Sequence, residues 1–233
     1  MSSAPGVVDP AGVTAWLRAF AAEVATHRDE LTDLDAAIGD ADHGVNMDRG
    51  MQAVAAKLPA AGEVRPAGAG AGGAPLGPLF KSAGMTLVST VGGAAGPLYG
   101  TLFLAMGTAA GEASELPLAA WAATLDAGVT GVRARGKAEP GDKTMLDALL
   151  PAVEALKSAA ASGLSLEAAL QSSAAAAQQG MTATVALVAR KGRASYLGER
   201  SAGHQDPGAT SSWLLLQTAA EALAGQEGSG TTP

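Results

Sequence analysis

Three carboxylates crowd one short stretch of this 233-residue chain: Asp35, Asp40 and Asp42 in LTDLDAAIGDADHG. Asp40 and Asp42 alternate in a glycine-flanked segment, so an extended loop can point both to one side. A chain reversal can then bring Asp35 to meet them. Three close carboxylates repel one another in a low-dielectric setting unless cations neutralise them. Oxygen ligands without cysteine suit Mg²⁺, which takes a few carboxylates plus phosphate oxygens and water. Two such ions would set four positive charges against three negative ones, leaving about one in excess to attract a diphosphate. Aspartates also cap helices and form turns, and spacing alone leaves that alternative open. His43, taken by itself, reads as a structural hydrogen-bonding residue.

Three more loops are unusual. Gly92-Gly93-Ala94-Ala95-Gly96 runs into Pro97, and a glycine-rich turn entering a helix exposes backbone N–H groups to phosphate; read locally, tight helix packing is the stronger alternative. The segment GKAEPGDKT imitates a P-loop but fails as one, because Asp142 separates Gly141 from Lys143 and a helical pattern precedes it. A turn with a Thr144 cap and a ligand contact are equal readings there. The segment GRASYLGERSAGHQDPGATS gathers Arg193, Arg200, His204 and Asp206, and Arg193 could fork onto a phosphate. For any one of these residues, surface solvation is the plainer account.

The elements that must position these loops read as helices. Apolar residues make up 48% of the chain, much of it alanine, and aromatics only 3%, which is too thin in strand formers for a large sheet. The expected class is all-α. Trp16, Leu17, Phe20 and Val24 recur at helical spacing, and the pattern runs on through Leu31 and Leu34 to Ile38 before Gly39 ends it. Further helices are expected from Asn46 to Leu58, around Phe80 to Val91, after Pro97, after Pro117, from Thr144, from Ser165 with a break near Gly180, and from Ala209 to Leu223. That is about eight helices, packed as an antiparallel bundle or barrel. The expected organisation is a flexible arm over 1–9, one helical domain over 10–224 and a disordered tail over 225–233, with Ala60–Pro78 a flexible surface loop.

A net charge of −7 with no basic run argues against nucleic acid and anionic membranes as partners. The absence of cysteine removes disulfides, thiolate metal sites and cysteine nucleophiles together. No apolar stretch reaches membrane-spanning length and no signal peptide is legible, so the expected location is the cytoplasm.

In this order, LDAAIGDADHGVNM, VGGAAGPLYGTLF, ARGKAEPGDKTMLDAL and GRASYLGERSAGHQDPGATS resemble the L subunit of dihydroxyacetone kinase, across most of residues 31–218. The resemblance implies an eight-helix antiparallel barrel with ADP or ATP bound among the loops at one rim. It matches Asp35, Asp40 and Asp42 to magnesium ligands, with two Mg²⁺ expected. His43, Gly44 and Asn46 fall in a phosphate-contacting segment. Ala94, Ala95, Gly136, Met145, Arg193, Asp206, Pro207 and Gly208 match nucleotide-contacting positions. Ala95 stands where a serine is usual, Ala41 replaces a common glycine, Val45 replaces a frequently polar residue, and the Ala60–Pro78 loop is longer than usual.

The resemblance further implies a division of labour. The L subunit supplies the phosphoryl group, and a separate K subunit holds dihydroxyacetone; no general base is assigned here. The free-standing length favours the phosphotransferase-system type, in which bound ADP is rephosphorylated by a phosphohistidine-bearing M-type protein. Two alternatives stay open: the L subunit of an ATP-dependent kinase for a ketose such as a tetrulose, and a nucleotide-sensing module that binds a transcription regulator. A homodimer is a further possibility.

Overall fold

A computed structural model describes residues 6–60 and 74–224. Nine α-helices lie among the described residues: α1 (Pro10–Thr26), α2 (Arg28–Ile38), α3 (His43–Ala55), α4 (Leu76–Thr90), α5 (Ala95–Ala110), α6 (Leu118–Gly136), α7 (Leu146–Ala161), α8 (Leu166–Ala183) and α9 (Pro207–Ala224). Eight of them close a ring in which α1 packs on α3, each helix from α3 to α8 on the next, and α9 back on α1. The remaining helix, α2, leans on α3 from outside the ring. The all-α expectation holds.

The ring is built from small residues at a helix–helix seam and aromatic ones in the core. A Cβ on Gly77 would meet the Gly111 carbonyl oxygen at 2.3 Å, and one on Gly100 would meet a Val88 methyl at 2.3 Å, so α4 and α5 pack too closely for any larger residue. In the middle, Trp16 meets Trp121 edge to face at 5.5 Å, while Phe80 stacks on Phe103 at 6.5 Å. The few aromatics thus fill the volume that alanine-rich helices leave at the centre.

Several boundaries differ from the periodic reading. The pattern from Trp16 to Ile38 is not one helix; the chain bends at His27 into α1 and α2. α1 is buried along its length against the ring, whereas α2 buries only Leu31, Asp35 and Ile38. Of the expected arm over 1–9, residues 1–5 lie outside the described residues, while Val7 and Val8 pair antiparallel with Leu116 and Pro117 and Asp9 accepts the Gly12 amide as the cap of α1. Gly180 does not break α8: a Cβ there would lie 2.0 Å from the Asp147 carbonyl oxygen, so the glycine marks close packing on α7. α3 begins at His43 rather than Asn46, and α4 at Leu76, with Pro78 inside its first turn. The segment Arg193–Ser201 is 3₁₀-helical with a kink at Gly198. Most of the expected 60–78 loop, and the tail over 225–233, lie outside the described residues.

Candidate functional site

The acidic end of the site is made by a fold-back between α2 and α3. Asp35 sits in the last turn of α2, and its backbone carbonyl accepts the Gly39 amide at 2.5 Å. A Cβ at Gly39 would fall 2.0 Å from Asp35 Oδ1, so only glycine lets the chain pass over that carboxylate. Ala41 then takes φ 60°, a left-handed conformation costly for a residue with a side chain. Asp35 Oδ2 accepts the backbone amides of Asp42 at 2.9 Å and His43 at 3.1 Å, which fixes the carboxylate against the start of α3. The outcome is that one oxygen each from Asp35, Asp40 and Asp42 lies within 4.8 Å of the others. Asp35 is buried, Asp42 half-buried and Asp40 exposed. Arg193 Nε meets Asp40 Oδ2 at 2.9 Å.

These aspartates line a cavity of about 420 Å³ whose lining also holds the apolar Leu98, Val132, Ala138, Met145 and Leu146. Every residue that the sequence singles out for nucleotide or metal contact lines it, except Gly44. Gly44 packs between α2 and α3, where a Cβ would sit 1.9 Å from the Arg28 carbonyl oxygen. The Gly92–Pro97 loop does two things at once. Gly96 is pressed against the Val91 carbonyl oxygen, where a Cβ would be at 2.2 Å, while Gly93, at φ 63°, and Ala94 and Ala95 face the cavity. α5 begins at Ala95, so its first-turn amides have no partner within the helix.

The rest of the lining was not legible. Lys143 is 1% exposed at φ 61°, and its ammonium donates to the carbonyls of Thr184 at 2.7 Å, Leu187 at 3.2 Å and His204. Its three protons are spent on the backbone, so it is a clamp on the 184–204 segment and not a phosphate hook. Burial pulls its pKa down, and nearby Asp206 partly restores it. Arg135 and Lys191 also line the cavity, whereas Arg200 and His204 do not. Asp147 accepts the Gly141 amide at 2.6 Å and the Thr144 amide at 2.8 Å, which holds the intervening loop in shape. No sequence signal distinguished Lys143 from a surface lysine.

Asp206 caps α9 through the Ala209 amide at 2.7 Å. Burial raises its pKa to about 7; the Ala209 amide and Lys143 oppose that rise, and Asp147 and Asp35 add to it. His43 is half-buried beside Asp35, and its Nε2 lies 2.9 Å from Ser211 Oγ. Loss of solvation lowers its pKa to about 4 against the opposing pull of Asp35, so the ring is neutral near pH 7. Tyr99, buried beneath it, contacts Ser211 Oγ at 2.7 Å and Ser212 Oγ at 3.0 Å, and burial raises its hydroxyl to about 12.

A pocket lined by a carboxylate trio and by several apolar side chains can hold a cation-bound phosphate and a flat ring together. Comparison with known proteins agrees in family. The model of the DAK2 domain matches residues 37–221. The chain is 45% identical over 202 residues to the ADP-binding subunit DhaL of the PEP-dependent dihydroxyacetone kinase of Escherichia coli, covering 87% of this chain and 91% of that one. It is 36% identical to the D-erythrulose kinase of Mycolicibacterium smegmatis, covering 88% of this chain but 34% of that kinase. The crystal structure of the dihydroxyacetone kinase from C. freundii in complex with AMP-PNP and Mg²⁺ superimposes with a TM-score of 0.66 at 25% identity, over 94% of this chain and 35% of the kinase. This chain therefore belongs to the DAK2 domain family and, within it, to the kinase subunits of the DhaL kind.

Proposed function

We propose that this chain is the nucleotide-carrying subunit of a dihydroxyacetone kinase, holding ADP or ATP with Mg²⁺ and passing a phosphoryl group to dihydroxyacetone held on a separate K subunit. A phosphohistidine-bearing protein of the phosphotransferase system is the proposed donor. The observation that carries the reading is the placement of Asp35, Asp40 and Asp42 within 4.8 Å of one another in the lining of a cavity that also presents Leu98, Val132, Met145 and Leu146. The donor set is oxygen only, which fits Mg²⁺. The name of the E. coli relative supports ADP as the resident nucleotide, and that of the C. freundii structure supports the pairing with Mg²⁺.

In this reading Asp35, Asp40 and Asp42 hold the metal, with two ions proposed. The bound metal supplies positive charge to the phosphate oxygens. His43 and Asn46 stand beside the phosphates, and the exposed backbone of Gly93 to Ala95 offers them N–H groups. Leu98, Val132, Met145 and Leu146 take the base, with Gly136 at its edge. Arg193 and the Asp206-Pro207-Gly208 turn complete the wall. Positioning and charge neutralisation are this chain's contribution, and the acceptor hydroxyl comes from the partner.

The test is retention of ADP. Protein purified without added nucleotide should carry ADP through desalting, and a reconstituted complex with the K subunit should lose turnover on Asp40→Asn while still binding its partner. Rapid exchange of bound ADP for free ATP would count against the phosphotransferase-system donor. No turnover in the wild-type complex, with nucleotide and partner binding intact, would instead fit a nucleotide-sensing role, and unchanged turnover of Asp40→Asn would remove Asp40 from the metal site. A second reading, the L portion of an ATP-dependent ketose kinase, draws on the 36% identity to D-erythrulose kinase. It predicts ATP-dependent phosphorylation of erythrulose by the reconstituted complex, without any phosphotransferase-system protein.

A further inference from the structure

Ser211 Oγ is in contact with three groups: the Gly208 carbonyl at 3.2 Å, His43 Nε2 at 2.9 Å and the Tyr99 hydroxyl at 2.7 Å. The Tyr99 hydroxyl also meets Ser212 Oγ at 3.0 Å. A carbonyl can only accept, so the single Ser211 proton belongs to Gly208. Both Ser211 lone pairs then accept, one from the Tyr99 O–H and one from an N–H at His43 Nε2. Ser212 in turn donates to Tyr99. Every placement of protons that satisfies all four contacts therefore has a proton on His43 Nε2. Ser211 and Ser212 are fully buried and Tyr99 is 1% exposed, so water does not compete for these groups.

We propose that Ser211 and Tyr99 are positioning residues that hold His43 as its Nε2–H tautomer and so present the Nδ1 lone pair to the cavity. Among the described residues Nδ1 has no hydrogen-bond partner, and His43 lines the cavity beside the aspartate trio. In the neutral ring that lone pair cannot donate to a phosphate oxygen. It accepts from an O–H, and the donor available beside three metal-ligating carboxylates is water in the hydration shell of the cation. This rests on the nucleotide reading above. It gives His43, placed above beside the phosphates, the role of an acceptor that orients metal-bound water. The three residues come from α3, α5 and α9, so the relay also ties the metal end of the site to the ring of helices.

The experiment is a long-range ¹⁵N–¹H correlation spectrum of the histidine rings in the full chain at neutral pH, free of metal and nucleotide. The His43 signals are assigned by their loss in His43→Asn. The expected pattern is a protonated Nε2 and a bare Nδ1, moving toward the mixed tautomers of free imidazole in Ser211→Ala and less far in the same direction in Tyr99→Phe. Calorimetry on the same variants should show Mg²⁺·ADP binding weakened roughly tenfold in Ser211→Ala, with ADP binding in a chelator changed less than about twofold, a split that general damage to the fold would not give. A protonated Nδ1 in the wild type, or an unchanged spectrum in Ser211→Ala, overturns the inference. Should the wild type show the expected tautomer yet bind no Mg²⁺·ADP, the assignment of the ring stands and the nucleotide reading is what fails.

Discussion

Arg193 Nε stands 2.9 Å from Asp40 Oδ2, so the residue expected on the phosphates is, in this structure, the counter-ion of a candidate metal ligand. The pair is largely solvent-exposed, and such pairs contribute only about 0–1 kcal/mol to stability. Its importance is therefore to binding. A cation and a guanidinium compete for the same carboxylate, whereas nucleotide phosphates would draw the guanidinium away.

Arg193→Ala should accordingly act with opposite signs on two ligands. Mg²⁺ alone should bind somewhat more tightly to the variant, because Asp40 has lost its competitor. Mg²⁺·ADP should bind roughly tenfold more weakly, the effect of losing about 1.4 kcal/mol of charge-assisted hydrogen bonding. Titration calorimetry with metal alone and with metal plus nucleotide checks both; a fall in both affinities would show that the ion pair does not compete.

Ala41→Gly should stabilise the protein. The left-handed φ of 60° costs a side-chain-bearing residue about 1–2 kcal/mol, and glycine gives back about 0.4–1 kcal/mol through the entropy of the unfolded chain. A net gain of up to about 1 kcal/mol corresponds to a rise in Tm of roughly 2–4 °C for a domain of this size. Gly39→Ala, two positions earlier, should do the reverse and abolish metal binding, since its Cβ would displace the Asp35 carboxylate. Thermal melts with and without Mg²⁺ separate the two effects.

His43 and Asp206 should give opposing pH dependences that hide one another. The His43 pKa falls from 6.5 to about 4 on folding, so between those values the unfolded chain binds more protons and stability is lost on acidification. The Asp206 pKa rises from 3.8 to about 7, so over that window the folded chain binds more protons and stability is lost as pH rises. At about 1.4 kcal/mol per pKa unit the two slopes are of similar size, and the metal-free protein should be nearly flat between pH 4 and 6.5 from these two groups. Asp206→Asn should uncover the histidine slope, with urea midpoints dropping toward pH 4. His43→Asn should uncover the aspartate slope, with midpoints dropping toward pH 7.

Lys143→Met should destabilise the protein by about 3 kcal/mol, because the buried carbonyls of Thr184, Leu187 and His204 lose their shared donor. The carbonyls lie on the segment leading to Asp206, so nucleotide affinity should fall as well. Urea unfolding measures the first effect, and a variant as stable as the wild type would remove Lys143 from its role as a clamp.

Much of this protein was legible in the order of its residues. The all-α class followed from abundant alanine with few strand formers, and most helices from apolar periodicity, because both depend on contacts only a turn or two apart. The aspartate stretch could be picked out since its three carboxylates lie within eight positions of one another. What only the tertiary structure decided came from distant meetings. That Gly44 packs against the Arg28 carbonyl, and that Gly180 packs against the Asp147 carbonyl and does not break its helix, are such meetings. His43 reached Ser211 across 168 positions, and Lys143 reached three carbonyls on a segment it cannot be seen to approach in sequence. Local propensity and periodicity act over a few residues, but burial and hydrogen bonding act through space, so the residues that orient the site became visible only once the ring of helices had closed.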